Sequence, residues 1–158
     1  MSNTTPNPAS PSPAAIIKSM VDGLAAWAVA NNVVPIDVDD PFEAQQMAVQ
    51  RADGGAVITY WDGDAPVAQS VRSVMVRQRV KVVLTAPQSP QSRADGKRPL
   101  LARVATLRAV VLALTPDTAT TEGFWKYAGA ATMKSPNGIP LDAYELTFTL
   151  QTTTEVDE

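Results

Sequence analysis

Residues 71–84, with the sequence VRSVMVRQRVKVVL, alternate between two kinds of side chain along almost their whole length. One set of alternate positions is nearly all apolar and includes Val74, Val76, Val80, Val82 and Leu84. The other set carries Ser73, Arg77, Arg79 and Lys81. A period of two over this length predicts an antiparallel strand with one face on a core and one face exposed. The fold must therefore contain a sheet that presents a row of three cations.

The rest of the pattern predicts a two-layer α+β sandwich, in which two helices pack on one face of a mainly antiparallel sheet. One helix begins at Ser12-Pro13 and runs to about Ala30, and a second follows Arg98-Pro99. Further strands are predicted at residues 33–39, 56–61, 124–133 and 141–153. Asp62-Gly63-Asp64 is read as a turn or loop, and Asp40-Pro41 as the start of a short helix or turn. The last strand presents a polar face that includes Glu145, Thr147 and Thr149.

The length of 158 residues suits one domain. Residues 1–13 are rich in Pro, Ser, Asn and Thr, which predicts a flexible N-terminal arm. Residues 14–153 are predicted to form the single α+β domain, and residues 154–158 an acidic tail. The chain contains no stretch of apolar residues that predicts a membrane span, so no membrane partner is expected.

The composition narrows the chemistry, because the chain contains neither cysteine nor histidine. Thiol nucleophiles, Cys/His zinc sites and Ser-His-Asp triads are thereby excluded, as is the usual general base near neutral pH. Asp37, Asp39 and Asp40 offer oxygen ligands, but they lack the spacing of a calcium loop and are better interpreted as a solvated acidic edge. The tryptophans and neighbouring tyrosines could form a stacking platform, although burial in a core or interface is the preferred interpretation. We therefore predict no catalytic residues, no cofactor and no metal.

Charge is strongly segregated along the chain, whose formal net charge is −3. Residues 71–110 hold nine cations against one acid, whereas the segments before and after carry net charges of −6 and −5. Three interpretations of the cationic row stay open. It pairs with acids on an adjacent strand, for instance Glu145, or contacts phosphates, or meets the acidic segments of a neighbouring copy. The overall acidity disfavours the nucleic-acid interpretation.

Four stretches, in their order and spacing, carry a resemblance to a known family. They are IIKSMVDGLAAWA, GGAVITYWDG, VRQRVKVVLTAP with the following RPLLARVATLRAVVLAL, and DAYELTFTLQT, which together span most of residues 14–153. In this order the chain resembles the tail terminator, or tail-completion, proteins of long-tailed bacteriophages, close to the Mu-like tail-completion group. Each stretch is a pattern of hydrophobicity rather than a fixed signature.

The resemblance implies a homo-oligomeric ring, expected to be a hexamer, that caps the head-proximal end of the tail tube. Such a ring stops tube polymerisation and joins the tail to the neck. The implied partners are other copies of the chain, the tube protein and a neck or connector protein, with a sheath protein as an open further partner. DNA would pass through the lumen without specific binding. The implied location is the virion tail or neck, after assembly in the host cytoplasm.

No catalytic residue is carried over from the family. The candidate subunit-interface or lumen face therefore rests on the strand pattern alone, and it consists of Arg77, Arg79, Lys81, Glu145, Thr147 and Thr149. Two alternative functions stay open. One is another neck or head-completion connector, and the other, which the acidity disfavours, is a DNA-binding accessory protein.

Overall fold

The computed structural model describes residues 12–51, 55–85, 99–115, 124–134 and 140–155. The helices are α1 (Pro13–Ala30), α2 (Pro41–Gln50) and α3 (Pro99–Ala113). The strands are β1 (Val34–Asp37), β2 (Ala56–Gln69), β3 (Ser73–Thr85), β4 (Lys126–Lys134) and β5 (Pro140–Glu155). Residues 1–11 of the predicted arm and residues 156–158 of the predicted tail lie outside the described residues, whereas Ser12 and Pro13 begin α1 and β5 extends to Glu155.

The five strands form one sheet in the order β1-β2-β3-β5-β4. β1 runs parallel to β2, and every other neighbouring pair is antiparallel. The edge position of β1 suits Pro35, which has no backbone N–H to donate to a second neighbour. The predicted α+β class with a mainly antiparallel sheet is thus confirmed, with β1 as the parallel exception.

Helices α1 and α3 pack together on one face of the sheet, as predicted. Ser12 caps α1, because its Oγ accepts a hydrogen bond from the backbone N–H of Ala15 at 3.1 Å, and Pro13 occupies the first turn. The apolar face of β3 lies beneath the helices together with that of β5. This core includes Ile16, Met20, Leu24, Val57, Val80, Val82, Leu84, Leu107, Val111, Leu146, Phe148 and Leu150.

By length and composition alone, α1 is apolar enough to cross a membrane, with a mean hydropathy of 1.3 over 18 residues. In the folded protein, the apolar face of α1 packs into the core, where six residues of the helix are buried. They are Ile16, Ile17, Met20, Leu24, Trp27 and Ala28. The apolar character of α1 therefore accounts for its packing on the sheet.

The third helix, α2, packs on the opposite face of the sheet and covers only one end of it. Ala44 and Ala48 are buried there against a small cluster that includes Ile58, Tyr60 and Val83. The two-layer arrangement thus gains a partial third layer. The sequence allowed a short helix here but did not indicate which face it would cover.

The N-terminus of α2 is closed by two side-chain hydrogen bonds that link Glu43 to Asp40 and Asp39. Asp40 Oδ1 accepts from the backbone N–H of Glu43 at 2.8 Å, and Glu43 Oε2 accepts from the backbone N–H of Asp39 at 3.1 Å. The first bond satisfies a backbone donor that the helix itself leaves unpaired, and the second ties Glu43 to the residue before the cap. The carboxylates of Asp40 and Glu43 therefore have a structural role at the start of α2.

Replacing Asp40 by alanine is expected to lower the free energy of unfolding by about 1 kcal/mol, because the cap is lost while no core residue changes. Asp40→Asn, which keeps an acceptor at this position, should recover most of that loss. Urea unfolding of both proteins checks the result. Equal losses in Ala and Asn variants would contradict the capping role.

The predicted turn at Asp62-Gly63-Asp64 is wrong. β2 continues through it to Gln69, with a register shift between Trp61 and Asp64, and Gly63 takes up the distortion at φ 86°. The chain reverses instead between Ser70 and Ser73. There the Ser70 Oγ accepts a hydrogen bond from the backbone N–H of Ser73 at 3.1 Å. A serine side chain therefore stabilises this turn, in which the sequence has neither Gly nor Asn.

Candidate functional site: a cationic groove on the sheet

The structure brings all six predicted site residues to one face of the sheet. β3 pairs with β5 so that Lys81 lies opposite Thr147, and Arg79 lies opposite Thr149. Arg77 and Glu145 share this face because each lies two residues along its strand from one of these pairs. This is the face opposite α1 and α3, and α2 covers only its far end around Val83. The predicted residues therefore form one continuous surface.

Part of the cationic row pairs with acids of the same chain. Lys81 Nζ lies 2.8 Å from Glu145 Oε1 and 3.8 Å from Asp62 Oδ2. Arg79 Nε lies 3.3 Å from the same Asp62 oxygen. The first sequence interpretation, pairing with acids on adjacent strands, is thus correct for Lys81 and Arg79. Arg77 is exposed and has no ion-pair partner within the described part of the chain.

Tyr60 holds the Glu145 carboxylate in place through a second hydrogen bond, beside the ion pair with Lys81. Its side chain is 2% exposed, and its hydroxyl donates a hydrogen bond to Glu145 Oε2 at 2.8 Å. Burial raises the pKa of Tyr60 well above its ordinary value, and the neighbouring Glu145 carboxylate raises it further. Glu145 is therefore held by one phenol and one ammonium group. That arrangement fixes Lys81 in place and leaves it little freedom to bind anything else.

The raised pKa of Tyr60 predicts a loss of stability in alkaline solution. The folded state holds the phenol proton more tightly than the unfolded chain, so this contribution is complete below the ordinary tyrosine pKa of about 10 and declines as the pH rises above it. Tyr60→Phe should lose about 1 kcal/mol near neutral pH, through the missing hydrogen bond, yet fall less steeply above about pH 10. Urea unfolding at several pH values checks this, and parallel curves for the two proteins would contradict it.

The uncovered part of the face forms a shallow groove of about 580 Å³. Its lining residues come from β2, β3, β4 and β5, and they are Ala65, Arg77, Arg79, Lys81, Lys126, Tyr127, Ala128, Thr147 and Thr149. We call this surface the cationic groove. Two alanines and two threonines line it between four cations, and the ring of Tyr127 packs against Phe148 on the other face of the sheet. It can therefore accept an extended anionic segment without first displacing a bulky side chain.

Lys126 and Asp62 belong to this site but were not predicted. Lys126 lies opposite Thr149 in the β4–β5 pair, which places Arg79, Thr149 and Lys126 in one row across three strands. No pattern within β4 signals that pairing, because strand order and register are set by contacts distant in sequence. The sequence predicts a turn or loop at Asp62, and residues 65–69, APVAQ, show no alternation that would extend the strand beyond it.

The other candidate constellations have structural roles. Trp27 and Trp125 are 9% and 3% exposed in the core, and Trp61 donates from Nε1 to buried Gln78 at 2.9 Å on the helix side of the sheet. The aromatic residues therefore form no common platform.

Asp37 and Asp39 lie at the end of β1 and just beyond it, where both are exposed. They line a second depression, of about 260 Å³, together with Trp61 and the first turn of α1. No group of three potential metal ligands occurs within the described ranges. Neither carboxylate has a hydrogen-bond or ion-pair partner among the residues that the structure describes. We call Asp37, Asp39 and this depression the acidic edge.

No family model matches this chain, and no curated protein matches it. The two surfaces described above and the resemblance in element order are therefore the features that bear on function. The cationic groove is shallow and open, and the acidic edge is a small concave surface with an aromatic floor.

Proposed function

We propose that the chain is a structural virion protein, a tail terminator that forms a ring at the head-proximal end of the phage tail tube. The ring stops tube polymerisation and joins the tail to the neck. The observation that supports this most directly is the position of the two charged surfaces. The cationic groove lies on β3, β5 and β4 on one face of the sheet, whereas the acidic edge lies at β1 on the other face.

Two different, complementary surfaces on one molecule favour head-to-tail association. A contact of this type is heterologous, and when its rotation closes it generates a ring. A closed ring of one chain is the form that a tube cap requires, because it presents the same surface to every subunit around the tube. The resemblance adds the expected hexamer, the tube protein and the neck or connector protein as partners. DNA crosses the lumen without specific binding.

The proposal is tested by mixing the purified protein with tail tubes that polymerise without limit. Capping predicts rings at one end of each tube in negative-stain images and an arrest of tube growth. A chain that stays monomeric in light scattering, binds no tube end and leaves tube length unchanged would overturn the proposal. Heat-treated protein provides the control for non-specific effects on polymerisation.

A neck or head-completion connector is the main alternative, since it uses the same kind of ring contact. A particle map in which this chain occupies the connector, away from the tube end, would favour it. The cationic groove also keeps a DNA-binding accessory role as a second alternative. That role predicts binding of duplex DNA that weakens steeply as salt increases, because the cations would replace counterions on phosphates.

A further inference from the structure

We propose that the cationic groove is the docking site for the acidic edge of a second copy of this chain. The inference rests on the proposed ring and deepens it by naming both halves of the contact. Arg77 and Lys126 of one copy meet Asp37 and Asp39 of the next. The inference predicts which residues carry assembly and which serve only the fold.

The charges that remain after internal pairing identify the contact residues. At one end of the cationic groove, Glu145 forms an ion pair with Lys81, and Asp62 forms one with Arg79. Arg77 and Lys126 have no acidic partner among the described residues, and both side chains line the open part of the groove. On the other surface, Asp37 and Asp39 are likewise without a described partner. Each surface thus keeps two like charges that no described residue of the same chain neutralises.

The positions of the two sets are compatible. Arg77 on β3 and Lys126 on β4 lie on opposite sides of the open part of the groove, with β5 between them. Asp37 ends β1 and Asp39 lies two residues further along the chain, so the proposed contact gives each carboxylate one of the two cations. Lys126, across Thr149 from Arg79, closes the other side of the groove.

The positions of the two surfaces prevent one copy from bringing its own acidic edge into contact with its own cationic groove. The acidic edge belongs to β1, and three strands separate it from β4 in the sheet order. It also opens toward the N-terminus of α1, on the face opposite the groove. Oppositely charged surfaces placed in this way attract another copy and steer its approach. The contact is therefore intermolecular and head-to-tail.

Two double charge reversals in the full chain test the contact. Arg77→Glu with Lys126→Glu makes the groove acidic, and Asp37→Lys with Asp39→Lys makes the edge basic. In either variant alone, every contact between copies places two surfaces of the same charge against each other. Ring formation should therefore require a protein concentration at least tenfold higher than the wild type needs. An equimolar mixture restores opposite charges at every contact, so alternating rings should form as they do in the wild type. Sedimentation velocity and negative-stain microscopy at low salt provide the measurements.

Thermal unfolding followed by circular dichroism establishes that each variant is folded. Arg51→Glu, which reverses an exposed charge at the end of α2, is the matched control and should assemble normally. If the groove variant alone forms rings at the wild-type concentration, the inference is wrong although the ring proposal stands. A mixture of two folded variants that stays monomeric would also overturn it.

Two further outcomes separate the possible occupants. A wild-type chain that forms no ring, alone or on tubes, removes the ring proposal, and this inference falls with it. If duplex DNA binds the wild type at about 150 mM salt, and the groove variant loses that binding but still assembles, the occupant is a polyanion rather than a second copy. Rings that dissociate only when the groove or the edge is reversed support the inference.

Discussion

Replacing Phe148 by alanine is expected to lower the free energy of unfolding by about 3–5 kcal/mol, the largest effect of any single substitution proposed for this protein. Phe148 is fully buried on β5, where it joins the helix-side core and meets the Tyr127 ring at 5.7 Å between centroids. The substitution removes the whole aromatic ring from β5, which is the middle one of the three strands β3, β5 and β4. The core around it cannot close the cavity, since β3 and β4 hold β5 on both sides.

Thr149→Ala is the matched control, because it changes the next residue on the same strand. Thr149 points to the cationic groove instead of the core, so its truncation should cost no more than about 1 kcal/mol, the span of strand propensities. Urea unfolding of both variants measures the difference. Similar losses in the two proteins would contradict the assignment of the two faces of β5.

The alternation along β3 and β5 made this division of faces predictable from the sequence. Val80, Val82 and Leu84 lie in the helix-side core, as the period of two required, and Leu146, Phe148 and Leu150 lie beside them. Long periodic segments constrain a fold because a shift of one residue would expose every apolar side chain at once. The start of α1 was predictable for a similar local reason, since Ser12 and Pro13 act within one turn.

Features that depend on distant contacts were not predictable in the same way. Tyr60 was read as one residue of a strand, and nothing near it indicates that its hydroxyl reaches Glu145 across β3. Lys126 entered the site only through the pairing of β4 with β5. The continuation of β2 past Gly63 was missed because a glycine flanked by acids signals a turn, whereas here it accommodates a bulge. Register and strand order, which neighbouring residues do not specify, decided each of these cases.

The second large effect is expected from a single charge reversal that separates assembly from folding. Arg77→Glu should raise the concentration needed for ring formation by about tenfold or more at low salt, which corresponds to about 1.4 kcal/mol for each contact. Its thermal stability should stay close to that of the wild type, because Arg77 is exposed and has no ion-pair partner in the described residues. Light scattering at increasing protein concentration, with circular dichroism melting, measures both properties.

Arg79→Glu is the informative comparison, since it lies two residues away on the same face. Its new carboxylate would face Asp62, which Arg79 now contacts at 3.3 Å, and the exposure of the pair limits the loss of folding stability to about 1 kcal/mol. A cation that pairs within its own chain should therefore affect folding more than Arg77 does. About 0.5 M salt should narrow the assembly defect of Arg77→Glu by screening the contact. If Arg77→Glu forms rings like the wild type at low and high salt, the row of cations on β3 does not contribute to assembly.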